Sequence, residues 1–371
     1  MRITGIKTYP LTVPIEDIQR TSQGSFGTIS VLIVVIETSS GVTGIGEALA
    51  RHGPKAYAEL VSGLLTPKLI GEDPIAIAGI WKKLYRSLTG RSGGILIEAI
   101  SAIDIALWDI MGKEFGRPIY QLLGHMGKQS ISAYASSIPW ADSRTVERIA
   151  KECLHQGFTQ IKVKIGAPVE SALERARDVR EIVGSKVMLM ADANWIFDVD
   201  DAFRVGEGLY ELGYVWFEEP IIPEDFGGYK YLRKKLKIRL AAGESEYTAA
   251  SAAMILTNRA IGVIQPDVAR SGGITETRKI ALLADALNIR FAPHVGASGA
   301  ICAVASQHLA AAMPNFWTYE CMIFPNPLRD HLLLNPIAGP ESINNGNLPI
   351  PSGPGLGIEL NMENVEKWVL N

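Results

Sequence analysis

The spacing of hydrophobic positions changes near residue 130. Before it, alternating runs at residues 2–13, 29–37 and 43–47 predict strands, and helix-period stretches follow at 55–69, 74–88 and 95–115. After it, short apolar runs alternate with amphipathic helices. Strands are expected at residues 131–135, 160–164, 187–191, 214–218, 238–242, 262–266, 289–293 and 316–320. Seven helices fit between them, for example at 171–183, 199–212 and 275–288. A strand-helix unit recurring at roughly 25 residues predicts parallel strands with right-handed crossovers, and eight such strands close into a TIM-like barrel of (β/α)7β form. A doubly wound open sheet is the rival, but no glycine-rich dinucleotide fingerprint follows any strand. The tail after residue 325, rich in proline, glycine and asparagine, is expected to return to the amino-terminal part.

One strand breaks the apolar rule. In QIKVKIG, Gln160 to Gly166, the alternate positions are Lys162 and Lys164, which must share a face. The plain explanation is an edge strand with a solvated lysine face. Other strand ends argue for a site. The expected strands two to eight end near Lys164, Asp192, Glu218, Glu244, Asp267, His294 and Glu320. A lone aspartate there is more often a helix cap, and a lone histidine more often structural. Independent caps would not line up on seven successive strands, and barrel chemistry collects at those ends.

The expected chemistry follows from residue type. Asp192, Glu218 and Glu244, from three consecutive strands, offer only hard oxygen donors, which suits Mg2+ better than zinc. Lysines beside a metal-carboxylate cluster and an anionic substrate have counter-charges. Lys164, pressed against a second lysine and a cation, is expected to lose proton affinity and act as a base, with Lys162 neutralising substrate charge. Asp267 and His294, on adjacent strands, form a pair in which the aspartate fixes the tautomer and raises basicity. Glu219 alternates to the other face and is expected to be structural.

Composition narrows the class. The chain has 371 residues, 47% hydrophobic and 20% charged, with net charge -3 and pI near 6.1. RKKLK at Arg233 to Lys237 is too short for a polyanion track, so no nucleic-acid partner is expected. Cys153, Cys302 and Cys321 are scattered, which argues against a disulfide framework or a zinc site and for a reducing, cytoplasmic setting. SVLIVVIE is too short to span a bilayer, so no membrane association is expected.

Taken together, GIGEA near Gly44, IDIALWDIMGKEFGRPIYQLLG, the KVK strand, DAN, FEEP, GES, QPD with SGG, PHVG and PSGPGLGIEL resemble the enolase superfamily, and within it the mandelate racemase group. The resemblance covers nearly the whole chain. It implies an α/β fold with an N-terminal α+β capping domain (1–125), a barrel (126–325) and a tail returning to the cap (326–371). It implies Mg2+ on Asp192, Glu218 and Glu244, base catalysis by Lys164 and by the His294–Asp267 dyad, and Glu320 as a hydrogen-bonding acid. Substrate contacts are expected from Asn194, Arg270, Ser22, Arg51 and His52, with Arg270 where relatives often carry lysine. A homo-oligomer, dimer to octamer, is expected.

The family chemistry is removal of the proton α to a carboxylate. With a β-hydroxyl, His294 can protonate the leaving group and the product is a 2-keto-3-deoxy acid; without one, opposed bases racemise or epimerise. The polar loop at residues 20–25, expected to cover the site, favours an acid sugar and hence a dehydratase. WFEEPIIPE and QPD with PHVG also resemble sugar-lactone cycloisomerases. A non-catalytic sugar-acid or metal-binding protein on the same fold is the reading from another class.

Overall fold

The computed structural model describes residues 1–88 and 93–370. Three antiparallel strands begin the chain: β1 (Ile3–Thr21), β2 (Gly24–Thr38) and β3 (Thr43–Ala48). The first strand runs beyond its expected end, so the expected loop at 20–25 is instead the tip of a β-hairpin that turns at Ser22 and Gln23. Helices α1 (Pro54–Leu60), α2 (Thr66–Leu69), α3 (Ile77–Tyr85), α4 (Gly94–Glu114) and α5 (Ile119–Leu123) follow. The expected single helix at 55–69 is interrupted by a π-helical turn at Val61–Leu65.

Helix α4 is buried on most of its circumference, as its nearly continuous apolar sequence demands. It lies directly on β3, where a Cβ at Gly46 would come within 1.8 Å of the Ala102 carbonyl oxygen. Asp109 on α4 accepts hydrogen bonds from the Ile45 and Leu356 amides and pairs with Lys113. One buried carboxylate thus ties the sheet and the tail to this helix.

The barrel runs through β4 (Ser130–Ile138), α6 (Ser143–His155), β5 (Gln160–Lys164), α7 (Val169–Val183), β6 (Met188–Asp192), α8 (Val199–Glu211), β7 (Tyr214–Glu218) and α9 (Phe226–Lys235). It continues through β8 (Arg239–Ala242), α10 (Thr248–Thr257), β9 (Val263–Ile264), α11 (Gly273–Ala286), β10 (Arg290–Phe291), α12 (Ala300–Ala312) and β11 (Tyr319–Met322). The parallel strands neighbour one another in chain order, β11 pairs with β4, and a parallel bridge between Phe291 and Phe316 closes the ring. β9 and β10 are only two residues long because Pro266 and Pro293 follow, and proline has no N–H for the ladder.

Tyr134, Met190, Trp216, Ala241, Val263 and Ala292 fill the barrel interior and form the floor beneath its carboxyl-terminal mouth. The chain ends with α13 (Pro327–Asp330), β12 (Asn347–Pro349), which pairs with β4, and α14 (Met362–Trp368). The tail meets the first strand through a Leu11–Val369 bridge and a hydrogen bond from the Leu370 amide to the Pro10 carbonyl. Among the described residues, no helix is long and apolar enough to cross a membrane.

Candidate active site

The two lysines of β5 are not on a solvated edge. Ile161 and Val163 face the helices and are fully buried, which turns Lys162 and Lys164 into the barrel. Parallel register sets Lys164 beside Asp192, and Asp192 beside Glu218, so three strand-end residues stand in one row. Lys162 is only 1% exposed, and its Nζ lies 2.6 Å from Glu218 Oε1, 2.8 Å from Glu320 Oε1 and 3.5 Å from Asp192 Oδ2. Burial opposes its charge, but Glu218 and Glu320 outweigh that and hold its pKa well above the usual lysine value. Lys164 donates to Asp192 Oδ2 at 2.5 Å and to Asn194 Oδ1 at 2.9 Å.

Opposite stands the dyad. His294 Nδ1 is 2.7 Å from Asp267 Oδ2, and Nε2 is 3.2 Å from Glu244 Oε2. The Ala269 amide and the Cys302 thiol donate to the other aspartate oxygen. Burial works against a charged imidazole, yet Glu244, Glu320 and Asp267 raise its pKa well above the usual value. Glu320 accepts from Ser136 Oγ and from the Val295 and Gly296 amides, and despite burial Lys162 and His294 hold it in the ionised form.

Glu244 follows Gly243, whose φ of 130° and a neighbour 2.6 Å from any Cβ both demand glycine. His294, Arg51 and Lys164 keep Glu244 ionised against the cost of burial. Glu218 differs: burial first, then Asp192 and Glu320, push it up to about 7 although Lys162 opposes them.

These groups surround a cavity of about 360 Å3. Lys162, Lys164, Asp192, Glu244, His294 and Glu320 line it, and so do Asn194, Arg51 and His52. Asp267 lies behind His294, fully buried. The hairpin supplies polar wall residues, including Arg20, Gln23 and Ser25, while Phe26 and Phe324 meet edge-to-face with centroids 6.2 Å apart. Phe324 and Trp195 were not expected in the wall. Both lie just past strand ends, Trp195 after β6 and Phe324 after β11, but their residue types carry no signal of a site.

Three expectations need correction. Ser22 does not line the cavity; its hydroxyl donates to the Ala193 carbonyl at 2.6 Å. Arg270 also lies outside the wall, where its Nε is 3.2 Å from the Tyr247 hydroxyl and 3.4 Å from Glu98 of α4. A largely buried guanidinium needs such partners; Glu98 comes from the cap and Tyr247 from the barrel. Glu219 does not follow strand alternation, because its φ of 40° turns the chain. It is 1% exposed, and neither carboxylate oxygen has a hydrogen-bond partner. Burial, then Glu244, Asp192 and Glu218, push its pKa well up.

The metal site is a separate matter. Among the described residues, no three His, Cys, Asp or Glu side chains are gathered closely enough to hold an ion as they lie. The physical reason is visible: Glu218 is turned to Lys162, Trp216 and Gln265, Asp192 to Lys164, and Glu244 to His294 and Arg51. The donor chemistry still fits a hard cation, since every candidate ligand atom is a carboxylate oxygen and Glu219 adds an unpartnered carboxylate to the same neighbourhood.

Known proteins agree with this architecture. Residues 4–124 match the mandelate racemase / muconate lactonizing enzyme N-terminal domain, and residues 145–365 match the enolase C-terminal domain-like family. The chain is 36% identical to an arabinonate dehydratase of Saccharolobus solfataricus over 90% of this chain and 88% of that protein. It is 35% identical to a D-galactarolactone cycloisomerase of Agrobacterium fabrum over 98% of this chain and 97% of that one. A crystal structure of an enolase superfamily member from a Polaromonas species superposes with TM-score 0.93 at 34% identity, covering 100% of this chain and 98% of that one. A Streptomyces coelicolor racemase described with bound magnesium gives TM-score 0.91 at 29% identity, covering 99% of this chain and 100% of that one. A capping sheet, a (β/α)7β barrel and this ring of lysine, carboxylate and histidine side chains belong together: the chain is a member of the enolase superfamily, in its mandelate racemase group.

Proposed function

We propose that the protein is an acid sugar dehydratase that removes the proton α to a carboxylate and expels the β-hydroxyl as water. The observation that carries this reading is that Lys164, at the end of β5, and His294, just beyond β10 across the barrel mouth, line one cavity with Lys162 and Glu320. Asp192, Glu218 and Glu244 would hold Mg2+. When bound, that ion supplies positive charge to the substrate carboxylate and to these buried acids.

The chain's own residues account for the remaining steps. Lys164, as the free amine, takes the α proton and breaks the C–H bond. Lys162 meets the charge that moves onto the carboxylate oxygens, and Glu320 holds Lys162 in place; such a fixed donor needs no reorganisation as charge develops. His294, held through Nδ1 by Asp267, gives its proton to the departing hydroxyl. The C–O bond breaks, water leaves, and the enol tautomerises to a 2-keto-3-deoxy acid.

A second reading, sugar-lactone cycloisomerase, is supported by the likeness to the Agrobacterium fabrum enzyme over nearly the whole of both chains. The product mass separates the two. A library of mono- and diacid sugars and their lactones, incubated with enzyme and Mg2+, is expected to yield a 2-keto acid lighter by one water. A product of unchanged mass would favour cycloisomerisation, and no turnover of any member would leave a binding protein. Chelation should abolish turnover and Mg2+ restore it; full activity after exhaustive chelation would remove the metal from the reading.

A further inference from the structure

We infer that Ser22 and Gln23, at the tip of the β1–β2 hairpin, are positioning residues for Lys164 and act on it through Asn194. The inference deepens the reading above, because it assumes that Lys164 is the base.

The loop after β6 carries the argument. Asn194 and Trp195 both adopt left-handed backbone, with φ of 45° and 64°. Asparagine tolerates that conformation but tryptophan does not, so surrounding structure must impose the pair. From the barrel side, the Ala193 amide donates to the Glu218 carbonyl at 3.1 Å, the Trp195 amide to the Glu219 carbonyl at 2.8 Å, and the Asn194 amide to Asp192 Oδ1 at 3.0 Å. The carbonyls of Ala193 and Asn194 meet the hairpin instead. There Ser22 Oγ donates to Ala193 O at 2.6 Å and reaches Asn194 O at 3.4 Å, while Gln23 Nε2 donates to Asn194 O at 2.6 Å. The loop's amides are thus held by the barrel and its carbonyls by the cap.

What this clamp fixes is the acceptor of the base. Asn194 Oδ1 takes a hydrogen bond from Lys164 Nζ at 2.9 Å. Asp192 supplies charge to the same ammonium, but Asn194 supplies a neutral, directional acceptor set by its own backbone. Ser22 also lies near the strand end that bears Lys164: a Cβ built on Gly166 would make an ordinary 3.6 Å contact with Ser22 Cβ. Ser22 does not line the cavity, so its effect on the base is separable from substrate contact.

The test uses the full-length enzyme with Mg2+ and its best acid sugar from the library. Ser22→Ala is expected to lower kcat about tenfold, the equivalent of one lost positioning hydrogen bond, with KM nearly unchanged. Ser22→Thr, which keeps the hydroxyl, should restore most of it. Because the effect passes through Asn194, Ser22→Ala added to Asn194→Ala should lower kcat no further. A wild-type kcat in Ser22→Ala, or losses that add in the double variant, would overturn the inference. A readout independent of turnover is acetic anhydride labelling followed by mass spectrometry. Ser22→Ala should raise labelling at Lys164 by about threefold and leave the buried Lys162 unchanged. If wild-type enzyme turns over no sugar acid, the proposed function fails but this labelling still decides the inference; unchanged labelling at Lys164 would reject it.

Discussion

Asp267 and His294 occupy bridged positions just beyond the ends of β9 and β10, and a 2.7 Å contact joins Oδ2 of one to Nδ1 of the other. The contact reserves Nε2 for the cavity. Asp267→Asn keeps the shape but offers an amide that no longer stabilises imidazolium. Dehydration should fall by at least about a hundredfold, within the range for a general acid-base group. Exchange of the α proton with deuterated water should persist, because Lys164 is untouched. Wild-type dehydration in this variant would remove His294 from the acid role.

Lys162→Met tests the second strand residue. The substitution removes the charge that meets the substrate carboxylate, so kcat should drop by about a hundredfold or more. It also leaves Glu218 and Glu320 without their shared cation, and unpairing a buried charge costs about 3–5 kcal/mol. Denaturant unfolding and kinetics of the folded fraction measure the two effects separately. Near-normal kcat would show that this lysine serves the fold alone.

Glu47, at the end of the GIGE run in β3, crosses from the cap to the barrel and accepts from the Gly299 and Cys302 amides at the start of α12, at 2.7 and 3.2 Å. Burial pushes its pKa from 4.5 up to about 7, with Asp267 adding to the rise and those amides opposing it. A carboxyl raised on folding stabilises most below its unfolded pKa, and that contribution is lost as pH rises through the folded value. Wild-type stability should therefore decline between about pH 5 and 8, by on the order of 3 kcal/mol from this group. Glu47→Gln should flatten the decline without abolishing it, since Asp104 is also pushed to about 7 by burial. Urea unfolding at the two pH values is the measurement, and equal slopes in both proteins would count against it.

Gly46 tests the cap. Gly46→Ala drives a methyl group into the Ala102 backbone, and stability should fall by about 3 kcal/mol or more because neither element can shift cheaply. Gly79→Ala, on α3 with nothing within 4 Å of a Cβ, should instead raise stability by about 0.5–1 kcal/mol. Thermal melts of both variants give the comparison, and a tolerated Gly46→Ala would mean that the sheet and α4 are not in close contact.

Periodicity was enough to read the barrel, because a short apolar strand followed by an amphipathic helix has few ways to bury both faces, and each unit is local in the chain. The row Lys164, Asp192 and Glu218 was legible for the same reason: strand alternation and parallel register follow from the backbone. What local pattern could not carry was the partner of each side chain. Ser22 meets Ala193 across 171 positions, Arg270 turns to Glu98 of the cap, and Glu219 leaves its alternate face because φ turns positive at that one residue. Those outcomes depend on which distant groups arrive to satisfy a buried donor, acceptor or charge. Sequence by itself therefore determined the strands, the helices and the chemical types at the barrel mouth; only tertiary structure decided which of those groups face the cavity and which hold others in place, since hydrogen bonds and ion pairs across the cap-barrel boundary have no periodic trace in the chain.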